Sequence, residues 1–374
     1  MKKSAILSFI LTVTLLILVC SCSHKSEPPV TFDNDLIVAQ WDKASDSIYA
    51  ASGIPGMLIG IWAPDRNLAW IKGLGVANKT TGEKLDASMK FRVGSITKTY
   101  TYTVLLQLAD QKFIRLEDKL SKYMPDFPRA DSVTLKMLCN HTSGIFDFAE
   151  TEAWRLSLIT DPLRKWTSDE LIDLAKAEPY YFTPGSGFYY SNTNTLIAGR
   201  IVEMVTGTSI ATMIRNRLFT PHNLLNTFYP SDNFIQGRFI HGYGWYDGDT
   251  TDVSQAYDPS LSGAAGAIVA DIYDLKKWVE LLYKGSLISD STQVRRLTTV
   301  PAPGEDCEEY GLGIMHKISP SMWGHTGTIP GYKNWAGYCP EKNVTIVISY
   351  NSTSAKPMVM ATRLINIYLG AVKK

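Results

Sequence analysis

The sequence predicts an α/β (α+β) protein: an antiparallel sheet flanked by helices, with an inserted all-helical lobe. Three observations lead there. Strand-like runs bounded by turn residues occur near both ends of the chain. The stretch between them, about residues 113–260, alternates helical patterns with loops. The chain has 374 residues, 45% hydrophobic and 20% charged, ample for the core of one large unit or two lobes. Strands from both ends most simply share one sheet. The helical part is then a lobe set into it, and the cleft between lobes is the default site.

The first residues stand apart from that fold. Lys2 and Lys3 precede AILSFILTVTLLILVC, an apolar run too short and too polar-dotted for a transmembrane helix. Residues 1–21 therefore read as a secretory signal. Val19-Cys20-Ser21-Cys22 resembles a bacterial lipoprotein processing box. That resemblance implies cleavage before Cys22, acylation of that cysteine and a polar tether over residues 22–33. It implies an exported protein of the cell envelope, held at a membrane by lipid. Plain secretion with cleavage elsewhere, or a retained anchor, is the other reading.

Residues 35–51 follow as an amphipathic helix with Leu36, Ile37, Val38, Trp41, Ile48 and Ala51 at apolar positions. Strands over 57–62 and 68–73 form a hairpin around Ala63-Pro64-Asp65-Arg66-Asn67. A mostly apolar helix over 96–111 starts directly after Gly94-Ser95. Another, over 194–206, sets Ile197, Ile201, Met204 and Val205 on one side and stops at Gly207. A small-residue loop, SGAAGA, leads into a helix over 264–283. Strands return over 323–327, 333–338 and 344–350, the last a β-branched run after the Pro340-Glu341-Lys342-Asn343 turn. A helix over 357–369 closes the chain, with Pro357 well placed in its first turn.

Composition removes several classes of function. Lys and Arg total 37 against 36 Asp and Glu, a formal net charge of +1, which gives nucleic acid no electrostatic footprint. An anionic membrane is no more favoured as main partner. Of five cysteines, Cys20 leaves with the signal and Cys22 is the anchor. Cys139, Cys307 and Cys339 remain, an odd number, so at least one is unpaired. No C-x-x-C or Cys/His ligand spacing occurs, and none of the six histidines sits in H-E-x-x-H, so no metal is expected. The Gly73–Gly75 and Gly311–Gly313 tripeptides lack the third glycine of a dinucleotide fingerprint. No G-x-S-x-G elbow is present either. Nine Trp and nineteen Tyr suit an aromatic-lined cleft.

Three motifs carry the chemistry. In Phe91-Arg92-Val93-Gly94-Ser95-Ile96-Thr97-Lys98, Ser95 and Lys98 stand three apart at a helix start and share a face. A serine hydroxyl needs a base to become a nucleophile, and lysine serves once burial or charge lowers its pKa. In Phe188-Tyr189-Tyr190-Ser191-Asn192, Tyr190 can shuttle a proton, as phenolate or through Lys98, while Asn192 orients Lys98 and a substrate amide. In Trp323-Gly324-His325-Thr326-Gly327-Thr328, Gly327 lets a substrate backbone approach, and His325 and Thr326 offer positive charge and a hydroxyl. The Thr328 and Ser95 N–H groups can form an oxyanion hole. Each motif alone also reads as ordinary capping or turn chemistry. The ordered set of S-x-x-K, Y-x-N and H-T-G is far more specific.

With those residues the chain resembles the serine β-lactamase and penicillin-binding-protein superfamily, in particular its D-alanyl-D-alanine carboxypeptidase and class C β-lactamase branch. The likeness extends from about Ile54 to the last helix. It includes Asn140-His141-Thr142-Ser143-Gly144-Ile145, Phe182-Thr183-Pro184-Gly185, Asn216-Arg217-Leu218-Phe219-Thr220-Pro221, Ala265-Gly266 and Tyr310-Gly311-Leu312-Gly313. The resemblance implies a β-lactamase/transpeptidase-like fold without metal or organic cofactor. It implies Ser95 as acylated nucleophile, Lys98 as its basic partner, Tyr190 as proton shuttle and Asn192 as orienting amide. His325-Thr326-Gly327 corresponds to the strand triad of the family, and Thr328 to an oxyanion donor. The implied substrates are peptidoglycan peptides, β-lactams or small esters and amides. Histidine at 325 and the envelope address favour a D-alanyl-D-alanine carboxypeptidase. A class C-like β-lactamase, an esterase or D-amino-acid amidase, and a catalytically silent envelope-binding lipoprotein are the rivals. One departure concerns the arginine that binds a terminal carboxylate soon after Y-G-L-G in such carboxypeptidases. Here Ile314-Met315-His316-Lys317 follows, leaving His316 or Lys317 to compensate.

Overall fold

The computed structural model describes residues 33–244, 251–304 and 306–372. The expected signal segment, Cys22 and all but the last residue of the tether lie outside the described residues. Helix α1 (Asn34–Ser52) starts on Asp33, whose carboxylate accepts the Leu36 N–H at 2.9 Å, and stops on Gly53 at φ 68°. Strands β1 (Gly56–Ala63) and β2 (Leu68–Gly75) form the expected hairpin. Next come β3 (Phe91–Arg92), a 3₁₀ turn at Gly94–Ile96 and α2 (Thr97–Asp110). The helical stretch holds α3 (Leu135–Cys139), α4 (Glu152–Thr160), α5 (Ser168–Lys176), α6 (Asn192–Thr206) and α7 (Ile210–Ile214). The chain continues through β4 (Val269–Ala270), α8 (Ile272–Lys284), α9 (Asp290–Leu297), β5 (Val300–Pro301), β6 (Glu309–Tyr310) and β7 (Met315–Lys317). It ends with β8 (Met322–Ile329), β9 (Tyr332–Cys339), β10 (Val344–Tyr350) and α10 (Pro357–Val372).

The two ends of the chain do meet in one antiparallel sheet, ordered β2-β1-β10-β9-β8-β7-β6-β5. Met57 of β1 stands opposite Tyr350 of β10, and Trp62 opposite Thr345. Both faces are covered. Ile346 and Ile348 belong to the core under α1 and α10, whereas Val347 joins the core with Leu275 and Trp278 of α8. All seven residues of β10 are buried, which is why it reads as an almost unbroken apolar run. Trp41 of α1 ties the outer layer down by donating its indole N–H to the Leu364 carbonyl at 2.9 Å.

One expected element is corrected. Residues 264–271 are not helical apart from a 3₁₀ turn at Gly263–Ala265; β4 pairs with β3, and the helix begins only at Ile272. Asp271 sets that start by accepting the Asp274 N–H at 2.8 Å. The small residues of SGAAGA serve close approach rather than helix propensity. A Cβ on Gly199 of α6 would lie 2.9 Å from the Ala264 methyl group. Helix α2 then runs through the centre, buried on nearly every side. Its Tyr100 stacks on Trp278 at 3.8 Å, and its N-terminus abuts β8.

Candidate active site

The turn before α2 places Ser95. Gly94 has φ 57°, a conformation few residues other than glycine adopt, and a Cβ there would lie 2.8 Å from the Thr328 nitrogen. Strand β8 therefore runs directly over the turn, bringing the Thr328 backbone beside Ser95. Ser95 and Thr328 both line a cleft of about 970 Å³. Phe148, Trp154, Leu158 and Leu261 form its apolar wall on the helical side.

Lys98, the second residue of α2 and one turn after Ser95, is completely buried. Its Nζ donates to Ser95 Oγ at 3.0 Å, Asn192 Oδ1 at 2.7 Å and the Ala265 carbonyl at 2.9 Å. Three acceptors match the three protons of an ammonium group. Burial nevertheless pulls the pKa from 10.5 down to about 7, against a pull from Asp147 in the other direction. Near neutral pH the amine and ammonium forms are comparably populated. The amine form can take the Ser95 proton along an existing hydrogen bond.

Asn192 is the first residue of α6, two residues ahead of the expected start at 194. Ser191 occupies the cap position without a side-chain cap bond and donates instead to the Phe146 carbonyl at 3.3 Å. The Asn192 amide is thereby left for Lys98, and its Nδ2 donates to Asp147 Oδ2 at 2.8 Å. Tyr190 is partly buried, its hydroxyl oxygen fully so, with its ring centroid 4.9 Å from Lys98 Nζ and 4.5 Å from the His141 ring. Its hydroxyl faces Ser95 but makes no hydrogen bond of ordinary geometry. Burial pushes its pKa well above 10, an effect larger than the opposing influence of Ser95. Tyr190 is thus a phenol in the resting site, and of the two routes expected for it the one through Lys98 fits.

On β8 one expectation is corrected. His325 carries no positive charge, because burial pulls its pKa from 6.5 down to about 3. Its Nδ1 lies 2.6 Å from the Thr326 carbonyl and so carries the proton. Nε2 then accepts from the Tyr310 hydroxyl at 2.9 Å. Gly327 is also needed for the protein's own packing, because a Cβ there would lie 1.9 Å from the Val93 carbonyl oxygen. Thr326 lines the cleft as expected, its hydroxyl 3.5 Å from the Met315 sulfur.

The site also holds groups that sequence reasoning missed. Asp147 lies just past the Asn140–Ile145 motif, but no spacing linked it to Asn192, 45 residues away. The Ala265 carbonyl and Tyr310 belong to motifs that were visible without a role. His141, at φ 57°, accepts the Ser191 N–H on Nδ1 at 3.2 Å. His316 and Lys317, the residues left to compensate for the missing arginine, are both engaged with neighbours and do not line the cleft. His316 stacks on Trp323 at 3.9 Å and bonds Glu309, while Lys317 pairs with Glu308 at 2.7 Å. Arg155 of α4 is the only cationic residue lining the cleft among the described residues. No cluster of three His, Cys, Asp or Glu side chains among them is placed to hold a metal.

Residues 36–369 match the family model described as Beta-lactamase, and the chain belongs to that family. It is 25% identical over 307 residues to Penicillin-binding protein 4 of Amycolatopsis lactamdurans, covering 80% of this chain and 77% of that one. It is 23% identical over 358 residues to a D-aminopeptidase of Cereibacter sphaeroides, covering 91% of this chain and 64% of that one. Among solved structures, a D-stereospecific amidohydrolase from a Streptomyces species superposes with a TM-score of 0.78 at 29% identity. That match covers 89% of this chain and 98% of that one. The chain is an enzyme of the serine-hydrolase type built on the β-lactamase fold.

Proposed function

We propose that the chain hydrolyses small amides, peptides or esters containing a D-amino acid, through an acyl-enzyme on Ser95. The observation that carries this is Lys98: a buried amine with a pKa of about 7, its Nζ 3.0 Å from Ser95 Oγ at the edge of an open cleft. Neutral Lys98 takes the hydroxyl proton as Oγ bonds to the substrate carbonyl carbon. The N–H groups of Ser95 and Thr328 receive the oxyanion. The C–N or C–O bond then breaks, and the leaving group takes the proton from Lys98 by way of the Tyr190 phenol. Water attacks the ester, its proton returns along the same groups, and Ser95 regains its hydroxyl. Asn192 holds Lys98 in line, Thr326 bonds the substrate, and His325 fixes the strand as a neutral hydrogen-bonding group. The D-configuration is drawn from the names of the D-aminopeptidase and D-stereospecific amidohydrolase relatives.

The second reading is the D-alanyl-D-alanine carboxypeptidase acting on cell-wall peptides. Strand β7 offers no free cation to a terminal carboxylate, which weighs against it. Arg155 favours it, as a cation on the cleft wall able to receive that carboxylate. Export and lipid anchoring through Cys22 complete the proposal for either substrate.

Mass spectrometry of the protein with a D-amino-acid amide, a D-Ala-D-Ala peptide, a penicillin and a p-nitrophenyl ester in parallel tests the proposal. The expected result is an acyl adduct on the Ser95 peptide and turnover of the amide, both abolished by Ser95→Ala. Turnover of the peptide with the amide untouched selects the second reading. An unlabelled Ser95, with a fluorophosphonate as well, overturns both in favour of a silent envelope-binding protein.

A further inference from the structure

Asn192 has two ends of opposite polarity, and only one of them helps a lysine. Its Oδ1 accepts from Lys98 Nζ at 2.7 Å, so its Nδ2 must find an acceptor elsewhere, which it does at Asp147 Oδ2, 2.8 Å away. The Asp147 carboxylate is itself only 5% exposed. Its other oxygen accepts the Ala149 N–H at 3.1 Å, which anchors the turn. The Asp147 backbone N–H donates to the Tyr181 hydroxyl at 3.2 Å. Ser95, Lys98, Asn192 and Asp147 thus form one hydrogen-bonded chain from cleft to interior. A carboxylate accepts and never donates, so this end of the chain has a fixed polarity.

We infer that Asp147 is a positioning residue: through Asn192 it keeps an amide oxygen facing Lys98 and places the negative partner of that buried lysine. The inference rests on the reading that Lys98 activates Ser95. Without a carboxylate at 147 the amide can turn over, presenting N–H groups to the lysine, and the interior positive charge loses its counterpart. The other titratable groups around the chain are accounted for. On the same turn, Glu150 accepts from the Tyr181 and Tyr189 hydroxyls, both at 2.7 Å. Tyr190, from the segment before α6, is a phenol. Burial keeps His141 of the preceding loop and His325 of β8 uncharged near neutral pH. Burial raises the Asp147 pKa, while the hydrogen bonds from Ala149 and Asn192 and the charge of Lys98 pull it back down. In its ionised form the carboxylate stands behind Lys98 and favours the ammonium form.

The test is the pH dependence of Ser95 acylation by a p-nitrophenyl ester in the full chain, with Asp147→Asn, Asp147→Ser and Lys98→Ala. Serine at 147 retains an oxygen for the Ala149 N–H if asparagine fails to fold. The wild type should show an acid limb near pH 7, where Lys98 loses its proton. Removing the carboxylate should move that limb to lower pH by about one unit and lower the plateau rate by roughly 10- to 100-fold. The direction follows from Asp147 stabilising the protonated lysine. A wild-type limb that stays at the same pH in both variants, with only thermal stability reduced, reduces Asp147 to a structural cap and overturns the inference. A wild type without the limb, or Lys98→Ala acylating at the wild-type rate, removes the reading of Lys98 and the inference with it.

Discussion

A single methyl group at Gly327 is a direct test of how the site is assembled. In the native structure the Val93 carbonyl oxygen sits 1.9 Å from the position a Cβ would take, and the Val93 carbonyl carbon 3.0 Å from it. Folded proteins do not hold carbon and oxygen that close, so Gly327→Ala must separate β8 from the Ser95 turn by about 1 Å. The neighbouring Thr328 backbone shares the same tight seam with Gly94. The two N–H groups proposed to receive the oxyanion therefore move apart by a similar amount. Misplacement on that scale costs on the order of 100-fold in rate, and forced packing about 1–3 kcal/mol in stability. The burst of p-nitrophenol release and the melting temperature, measured together, separate these effects. Gly370→Ala is the control, because an added methyl group there meets no atom within 4 Å. A Gly327→Ala variant with wild-type burst rate and melting temperature would refute the packing of strand on turn. A lowered melting temperature with an unchanged burst would refute the oxyanion role of Thr328 instead.

Two further outcomes follow from burial and from the leader. His325 has a folded pKa of about 3 against about 6.5 in an unfolded chain, so its contribution to stability is present above the unfolded value. It is lost progressively as pH falls from about 6.5 towards about 3. Urea midpoints between pH 7 and pH 4.5 should therefore drop more steeply for wild type than for His325→Gln, and parallel slopes would contradict a buried neutral imidazole. Cys22→Ser should move the expressed protein from the membrane pellet to the soluble fraction; a variant still sedimenting with lipid would exclude that cysteine as the anchor.

The long elements were legible because their patterns extend over enough residues to show a period. The helix expected over 35–51 is Asn34–Ser52, and the strand expected over 344–350 is Val344–Tyr350. The joining of the two chain ends was legible too, since strands at both ends need partners and each other is the shortest solution. Strands β5, β6 and β7 have two or three residues each and offer no period at all. They are held by pairing with neighbours, as Tyr310 is opposite Met315. The stretch around Ala264 misleads for another reason. Alanine favours helix in isolation, but here its value lies in the room it leaves for α6 and in the Ala265 carbonyl that it offers to Lys98.

At the site, the sequence identifies which ionic forms are possible and the fold decides which are occupied. The polar ends of Lys98, Tyr190, His141 and His325 are all withdrawn from solvent, and burial penalises every charged form. His325 is fully bonded as a neutral ring, between a carbonyl and the Tyr310 hydroxyl; burial outweighs the upward pull of the Thr326 carbonyl, and nearby Lys98 adds to it, so its pKa falls to about 3. Tyr190 has no cation bonded to its oxygen and stays a phenol. Lys98 alone has three acceptors arranged around its nitrogen and a carboxylate behind one of them. The Asp147 charge opposes the burial penalty, and the Lys98 pKa comes to about 7. Lys98 is thus a group whose pKa lies near neutral pH, and it is hydrogen-bonded to the serine.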